Sequence, residues 1–129
     1  MNHNLSFAKI NILNESVAEV IVGQNVEISL EMSEEYNDFL AEKFPNDFAI
    51  LVNKINKYDF SFEAKLSMAS HENLKAIAVV TYDKEGKQEV EELAAMRQID
   101  GWNLKVFDGL NLGWQDGLTW LENELSALA

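Results

Sequence analysis

The most constraining feature of this sequence is the apolar run Leu74–Thr81, which reads Leu-Lys-Ala-Ile-Ala-Val-Val-Thr. Only Lys75 interrupts the run, and β-branched residues dominate its second half. A short run of this kind is typical of a strand that is buried on both faces of a sheet. Because such a strand needs helices above and below it, the run by itself predicts an α/β fold.

Four further segments have the character of strands. Phe48–Asn53 is a second continuous apolar run, and we expect it to lie parallel to Leu74–Thr81. Phe7–Leu13 and Val17–Val22 flank the turn residues Asn14-Glu15-Ser16 and predict an antiparallel hairpin. Trp102–Phe107 predicts the last strand, and Val26 with Ile28 indicates a strand extension or a bulge.

Helices are predicted between these strands. Their expected extents are Ser29 or Ser33 to about Phe44, about Ser61 to Ala69, Lys87–Arg97, and roughly Leu112–Ala127. The segment Lys54–Phe60 is expected to be a loop, and Asp83–Gly86 a turn. The element order is therefore β-β-α-β-α-β-α-β-α. It predicts one domain over residues 1–129, with a five-stranded mixed sheet layered by four helices.

Charge and composition exclude several classes of function. The formal charge is -12, because 22 acidic residues face 10 basic ones, and this balance disfavours nucleic acid and anionic membrane surfaces as partners. No apolar run approaches the roughly 20 residues of a membrane span, and the N-terminus lacks the features of a signal peptide. We therefore expect a cytoplasmic protein without membrane insertion.

The residues needed for common catalytic and metal sites are scarce. The chain has no cysteine, and its only histidines are His3 and His71. There is no nucleophile elbow, glycine-rich phosphate loop or dinucleotide fingerprint. The sequence thus predicts no metal site, no cofactor and no enzymatic activity. General acid–base sites leave little trace in a sequence, so an enzyme that uses Asp or Glu together with Tyr58 stays open as a third alternative.

The best candidate site is the segment that follows Phe48–Asn53. In open α/β sheets, ligands and partners favour the carboxyl ends of the parallel strands. Two lysines lie close together there in an otherwise acidic chain, and the helix expected near Ser61 would add free backbone N–H groups. The alternative is that Asp59 or Ser61 only caps that helix while the lysines stay in water. The candidate ligand- or partner-binding residues are Asn53, Lys54, Asn56, Lys57, Tyr58, Asp59 and Ser61.

A second candidate surface lies on the last helix. The apolar seam of this helix consists of Trp114, Leu118, Leu121, Leu125 and Leu128. Trp120 points away from that seam, on the side of Gly113 and Gly117. Small residues beside an exposed tryptophan allow another backbone to approach, as at the interface of a homodimer. The alternative is that Trp120 covers the sheet edge of its own subunit.

Two stretches, Phe48–Phe60 and Glu72–Thr81, resemble a group of small stand-alone bacterial proteins of unknown function. That group belongs to the SpoIIAA-like fold, which STAS domains share with CRAL-TRIO lipid-transfer domains. In anti-anti-sigma STAS proteins, an Asp-x-Ser at the start of the helix after the third strand carries a phosphorylatable serine. Asp59-Phe60-Ser61 matches those two residues, which makes Ser61 a candidate phosphosite. The family pattern continues with Gly, whereas this chain has Phe62.

Two functional hypotheses follow. The first is a non-enzymatic, STAS-like binding or regulatory module whose loop around Lys54–Ser61 meets a protein partner or a small anionic ligand. The alternative is a carrier of a small apolar ligand or lipid, with a pocket between sheet and helices lined by Tyr58, Phe60 and Phe62.

Overall fold

The computed structural model describes residues 2–61, 63–64, 73–96 and 103–127. Within these residues the strands, in chain order, are β1 Asn2–Asn4, β2 Ala8–Ile12, β3 Val17–Val22, β4 Val26–Ile28, β5 Phe48–Lys54, β6 Tyr58–Phe60, β7 Leu74–Thr81 and β8 Leu104–Asp108. The helices are α1 Leu30–Lys43, α2 Lys84–Met96 and α3 Gly113–Ala127, and a 3-10 turn covers Gly109–Asn111. The predicted α/β class is confirmed.

The main sheet has six strands in the order β1-β2-β3-β5-β7-β8. β1, β2 and β3 pair antiparallel, whereas β3, β5, β7 and β8 pair parallel, so the sheet is mixed as predicted. The two apolar runs of the sequence, β5 and β7, are neighbours in the interior of the sheet. Their burial on both faces explains why they carry almost no polar residues.

The prediction of five strands is wrong at three places. Val26–Ile28, expected to be a strand extension or a bulge, is a strand of its own, β4, outside the main sheet. Asn2–Asn4 adds an edge strand that pairs antiparallel with β2. Tyr58–Phe60, which was expected to be loop, is a strand that pairs in parallel with β4 and forms a separate two-stranded sheet. The alternation of this segment explains the difference, because Tyr58 and Phe60 pack against the core while Asp59 between them is exposed.

The start of α2 also differs from the prediction. The helix begins at Lys84 rather than Lys87, because the Oδ1 atom of Asp83 accepts the N–H of Gly86 at 2.6 Å. That bond satisfies a backbone donor of the first helical turn. At α1, Ser29 takes the capping role, since its Oγ accepts the N–H of Met32 at 3.2 Å.

Some predicted features lie outside the described residues. The helix expected over Ser61–Ala69 is described only at positions 63 and 64, which are helical. His71, Phe62 and Trp102 also lie outside, as do the side chains of Leu93, Ala94 and Met96. The predicted count of four helices therefore has no complete counterpart within the described part of the chain, where three α-helices are present.

The sheet separates two apolar cores. The α1 face of the sheet carries large side chains that pack with α1, among them Ile10, Phe48 and Ile50. The α3 face carries small side chains beneath α3, among them Ala49, Ala76 and Ala78. The predicted seam of α3 is confirmed at the positions that pack on this second core, Trp114, Leu118, Leu121 and Leu125.

Candidate functional site

The predicted site lies at the carboxyl rim of the sheet. The register of β5, β7 and β8 aligns Lys54 with Thr81 and Thr81 with Asp108, so three parallel strands end in one row. The segment after Lys54 begins at this rim, as the sequence predicts. It is also tied to the turn before β4, because the N–H of Lys57 donates to the side-chain oxygen of Gln24 at 2.9 Å.

Both lysines of the predicted site are paired with glutamates of α2. The Lys54 ammonium lies 3.3 Å from Glu89 and 3.7 Å from the ring centroid of Tyr58, and its side chain is only 6% exposed. The Lys57 ammonium lies 2.8 Å from Glu85 on the surface, and this hydrogen bond raises the pKa of Lys57. The positive charge that suggested an anion site is thus compensated within the chain.

The other residues of the predicted site hold the loop in place. Asn56 donates to the carbonyl of Val22 at 2.9 Å, and Asp59 accepts the N–H of Phe60 at 3.2 Å. Ser61 accepts the N–H of Ala64 at 3.1 Å through its hydroxyl, which is the capping role considered as an alternative. Asn53 points away from these residues, into a second cluster described below.

The aromatic residues proposed to line an apolar pocket are used in packing. The rings of Tyr58 and Phe60 contact each other edge to face, with centroids 5.7 Å apart, and both pack against the core of the α1 face. Burial, with the nearby Glu89 carboxylate as a smaller cause, raises the pKa of Tyr58. Phe62, the third residue of that proposed lining, lies outside the described residues.

The rim carries large apolar side chains that sequence analysis missed. Ile55, which follows β5, is 54% exposed, while Leu110 and Leu112, which follow β8, are 74% and 68% exposed. We call these three residues the apolar rim. Neighbouring strands lie about 4.8 Å apart, so β5 and β8 are separated by roughly 10 Å. The three side chains therefore fall within the area that a single protein partner would cover.

Leu112 holds an unfavourable backbone conformation. Its φ of 62° and ψ of 25° place it in the left-handed region, which costs a residue with a Cβ roughly 1–2 kcal/mol. The surrounding turn enforces this conformation. Asp108 accepts the N–H of Leu110 at 2.9 Å and the side-chain amide of Asn111 at 2.8 Å. Gly113 follows in close contact, since a Cβ there would collide with the backbone carbonyl of Asp108.

A cluster of polar side chains surrounds Glu19 on the α3 face. Glu19 is only 7% exposed, and its Oε1 accepts the side-chain amide of Asn11 at 2.7 Å. Its Oε2 accepts two donors, Asn53 at 3.0 Å and the indole N–H of Trp114 at 2.7 Å. The hydroxyl of Tyr82 donates to Asn53 at 2.6 Å. We call these five residues, Asn11, Glu19, Asn53, Tyr82 and Trp114, the Glu19 cluster.

The sequence held one signal for the Glu19 cluster. A glutamate in the middle of the apolar run Val17–Val22 is unusual in a buried strand, because burying a charge is costly unless donors surround it. Within the cluster, burial is the larger cause that raises the pKa of Tyr82, followed by the negative charge of Glu19. Of the predicted site residues, only Asn53 belongs to the cluster.

The residues of the predicted dimer surface face their own subunit. A Cβ on Gly117 would lie 3.4 Å from that of Ala78, so this glycine lets α3 approach the sheet. Trp120 packs against the core of the α3 face, with its ring centroid 6.0 Å from that of Phe107 on β8. The close approach that suggested an interface is thus used inside the subunit, which matches the alternative considered for Trp120.

The described residues contain neither a group of side chains suited to hold a metal ion nor a helix suited to cross a membrane. No group of three or more His, Cys, Asp or Glu side chains within them could hold a metal ion. None of the helices in the described ranges is both long enough and apolar enough to cross a bilayer. Comparison of the chain with protein-family models, curated proteins and solved structures returned no match in any of the three.

Proposed function

We propose that this chain is a non-enzymatic binding or regulatory module that docks a protein partner on the carboxyl rim of its sheet. The observation that carries the proposal is Leu112, an exposed leucine held in a left-handed conformation. Neither the exposure nor the conformation stabilises the chain by itself. Residues with such local costs concentrate at binding and catalytic sites, where their position is used.

The charge around the apolar rim favours a basic partner. Exposed carboxylates at the same edge that form no ion pair among the described residues belong to Asp83, Asp108 and Asp116. The whole chain carries a formal charge of -12, which attracts a cationic surface and repels an anionic one. A small anionic ligand is less well supported, because Lys54 and Lys57 are already paired with glutamates. We therefore infer a partner surface with apolar side chains flanked by lysine or arginine.

The family resemblance and the phosphosite belong to this proposal. A SpoIIAA-like, STAS-like module acting without catalysis is consistent with the parallel strands and with the position of the loop after β5. Phosphorylation of Ser61 stays a prediction. It would place a charge of about -2 next to Asp59 and replace the hydroxyl that accepts the Ala64 N–H. Homodimerisation also stays a prediction, tested by sedimentation of the purified chain, but Trp120 does not support it because that side chain packs within its own subunit.

The test compares variants of the apolar rim with a matched control. Tagged protein carrying Leu110→Ser or Leu112→Gly is used to capture partners from a lysate of the native host, beside wild type and Leu30→Ser. Leu30 is also an exposed leucine, at 38%, but it lies at the start of α1. We expect one protein with basic and apolar surface residues to be lost with both rim variants and retained with the control. With that protein purified, each rim variant weakens binding by about tenfold or more.

Leu112→Gly separates lost binding from lost folding. Glycine enters the left-handed region freely, so this change should raise the free energy of unfolding by about 0.5–1 kcal/mol while it weakens binding. Urea denaturation of the pure variant measures the first effect. Capture that is the same for wild type, both rim variants and the control would refute the proposal. Binding of a second copy of the chain at the apolar rim would also refute the proposal.

A further inference from the structure

The hydrogen bonds of the Glu19 cluster leave acceptors in excess. Oε2 of Glu19 already has two donors, Asn53 and Trp114, whereas Oε1 has only the amide of Asn11. A carboxylate oxygen can accept two hydrogen bonds, so Oε1 has room for one more. The side-chain oxygen of Asn53 accepts the hydroxyl of Tyr82. The spare acceptor capacity of the carboxylate therefore lies on the side of Asn11.

Asn11 adds a second free acceptor beside it. Its Oδ1 is buried and has no hydrogen-bond partner, while its Nδ2 donates to Glu19. Rotating the amide by 180° would not repair this, since it would turn Oδ1 toward a carboxylate oxygen and leave the two N–H groups of Nδ2 unpaired. A buried acceptor without a donor costs roughly 1–3 kcal/mol, so its presence in a native structure points to a missing donor.

The cluster also carries an uncompensated negative charge. The ion pairs within the described residues join Lys54 to Glu89, Lys57 to Glu85 and Lys75 to Asp47, and none of them includes Glu19. Lys9 lies on the same face of the sheet, two residues before Asn11, but its side chain is exposed and makes no ion pair with Glu19. The donors around Glu19 are neutral, so no ion pair within the described part of the chain balances its charge.

Two aromatic side chains lie on one side of the cluster, and residues that are more exposed to solvent lie on the other. Trp114 and Tyr82 are half-buried, and their rings flank the cluster on the side of α3. Toward β2 the face of the sheet is open to solvent at Lys9 and half-buried at Asn11. A cation that approaches from this side reaches the Asn11 end of the cluster, where Oδ1 is closed to solvent and would be uncovered only by a shift of the neighbouring side chains. Trp114 presents the edge of its ring there, since its indole N–H donates to Glu19.

We propose that the Glu19 cluster binds the primary ammonium group of a small organic molecule. An ammonium group has three donors, no acceptor and one positive charge, and these match two free acceptors beside one unbalanced carboxylate. The site uses none of the residues of the apolar rim, so the proposed docking of a partner does not depend on it. The chain's charge of -12 would raise the local concentration of such a cation.

The test uses n-butylammonium chloride as the probe and the indole N–H of Trp114 as the reporter. The ¹H–¹⁵N spectrum of wild type resolves indole signals, and the signal of Trp114 is assigned by its loss in Trp114→Phe. Tetramethylammonium chloride supplies a cation without N–H donors, n-butanol supplies the alkyl chain without charge, and sodium chloride controls for ionic strength. We expect a saturable shift of the Trp114 signal with n-butylammonium only.

Matched variants locate the effect. Glu19→Gln removes the charge with little change in size, and Glu27→Gln makes the same change at an exposed strand position on β4. Glu19→Gln should weaken the binding of n-butylammonium at least tenfold, whereas Glu27→Gln should leave it unchanged. If Glu19→Gln does not fold, the titrations of the wild-type protein with the four compounds are sufficient to test the proposal. A shift that does not saturate, or that tetramethylammonium or sodium chloride reproduces, would overturn the proposal and assign the free acceptors to water.

Discussion

The two faces of the sheet differ in how they are packed. On the α1 face, apolar side chains continue across the strands from Ile10 through Val20 to Phe48 and Ile50. On the α3 face, small apolar residues occupy only the strands beneath α3, and the surface beyond them is polar around Glu19. The α1 face is thus covered almost entirely by apolar side chains. The α3 face has an apolar core and, beside it, the residues of the Glu19 cluster, which we call the polar margin.

The difference shows which face of the sheet can hold buried polar and charged groups. A face that is covered almost entirely by apolar side chains is stabilised mainly by close packing, because few polar groups there would find a partner. The margin of the α3 face keeps a buried carboxylate because β2, β5 and α3 each contribute a donor to it. Three predictions test this contrast, in order of decreasing effect.

The largest effect is expected from a cavity on the α1 face. Phe48 is fully buried and its ring stacks on Phe44 with centroids 4.9 Å apart. Phe48→Ala should lower the free energy of unfolding by about 3–5 kcal/mol, because the neighbouring side chains cannot close the space. Urea denaturation measures the loss. Leu30→Ala, at a partly exposed position, serves as the control and should cost less than about 1 kcal/mol. Equal losses would contradict a tightly packed α1 face.

The next effect comes from the polar margin. Glu19→Ala should cost about 2–4 kcal/mol, because it leaves the donors of Asn11, Asn53 and Trp114 without their acceptor. Glu27→Ala, at an exposed strand position, should change stability by no more than about 0.5 kcal/mol.

A double-mutant cycle identifies the source of that cost. Trp114→Phe should be less damaging in the Glu19→Ala background than in wild type, with a coupling of about 1–2 kcal/mol from the lost indole bond. Additive effects would show that the stability of this margin does not depend on the hydrogen bond between Glu19 and Trp114.

The smallest effect appears at alkaline pH and compares one tyrosine from each face. Burial raises the pKa of Tyr36 on the α1 face and, for a half-buried side chain, of Tyr82 on the α3 face. A folded-state pKa above the unfolded value means that stability is complete below about pH 10 and is lost as the pH rises further. Each fully buried tyrosine contributes a loss of about 1.4 kcal/mol per pH unit in that range.

Phenylalanine variants measure this loss separately. Between pH 9 and pH 11, thermal unfolding of Tyr36→Phe should depend less on pH than that of wild type. Tyr82→Phe should show a smaller change, because solvent reaches its phenol. A larger effect from Tyr82 would mean that the margin of the α3 face is more deeply buried than the α1 face.

The sequence predicted much of the fold and little of the site. Continuous apolar runs identified β5 and β7 and placed them as parallel neighbours, since only doubly covered strands lack polar positions. Short elements escaped this reasoning. Tyr58–Phe60 has only three residues, too few for a periodic pattern, and its pairing with β4 depends on a segment about thirty positions earlier.

The lysines show why the candidate site was harder to predict. Their closeness in the sequence indicated free positive charge, yet Glu85 and Glu89 lie on a helix that follows a whole strand later. Composition revealed an excess of acids and could not reveal which of them would pair. The apolar rim was missed for a similar reason, because Leu110 and Leu112 are ordinary residues in the sequence, and only the arrangement of the sheet puts them at the same carboxyl rim as Ile55.

By itself, the sequence determined the class of the fold, the interior strands and the apolar seam of α3, because hydrophobic periodicity is a local property of the chain. Tertiary structure alone decided which charges are paired and which polar atoms are buried. Glu19 and Trp114 are 95 positions apart, and their hydrogen bond exists only because α3 packs back across the sheet. Electrostatic and hydrogen-bond energies act over a few ångströms of space, and no local pattern in the chain records which distant residues will meet.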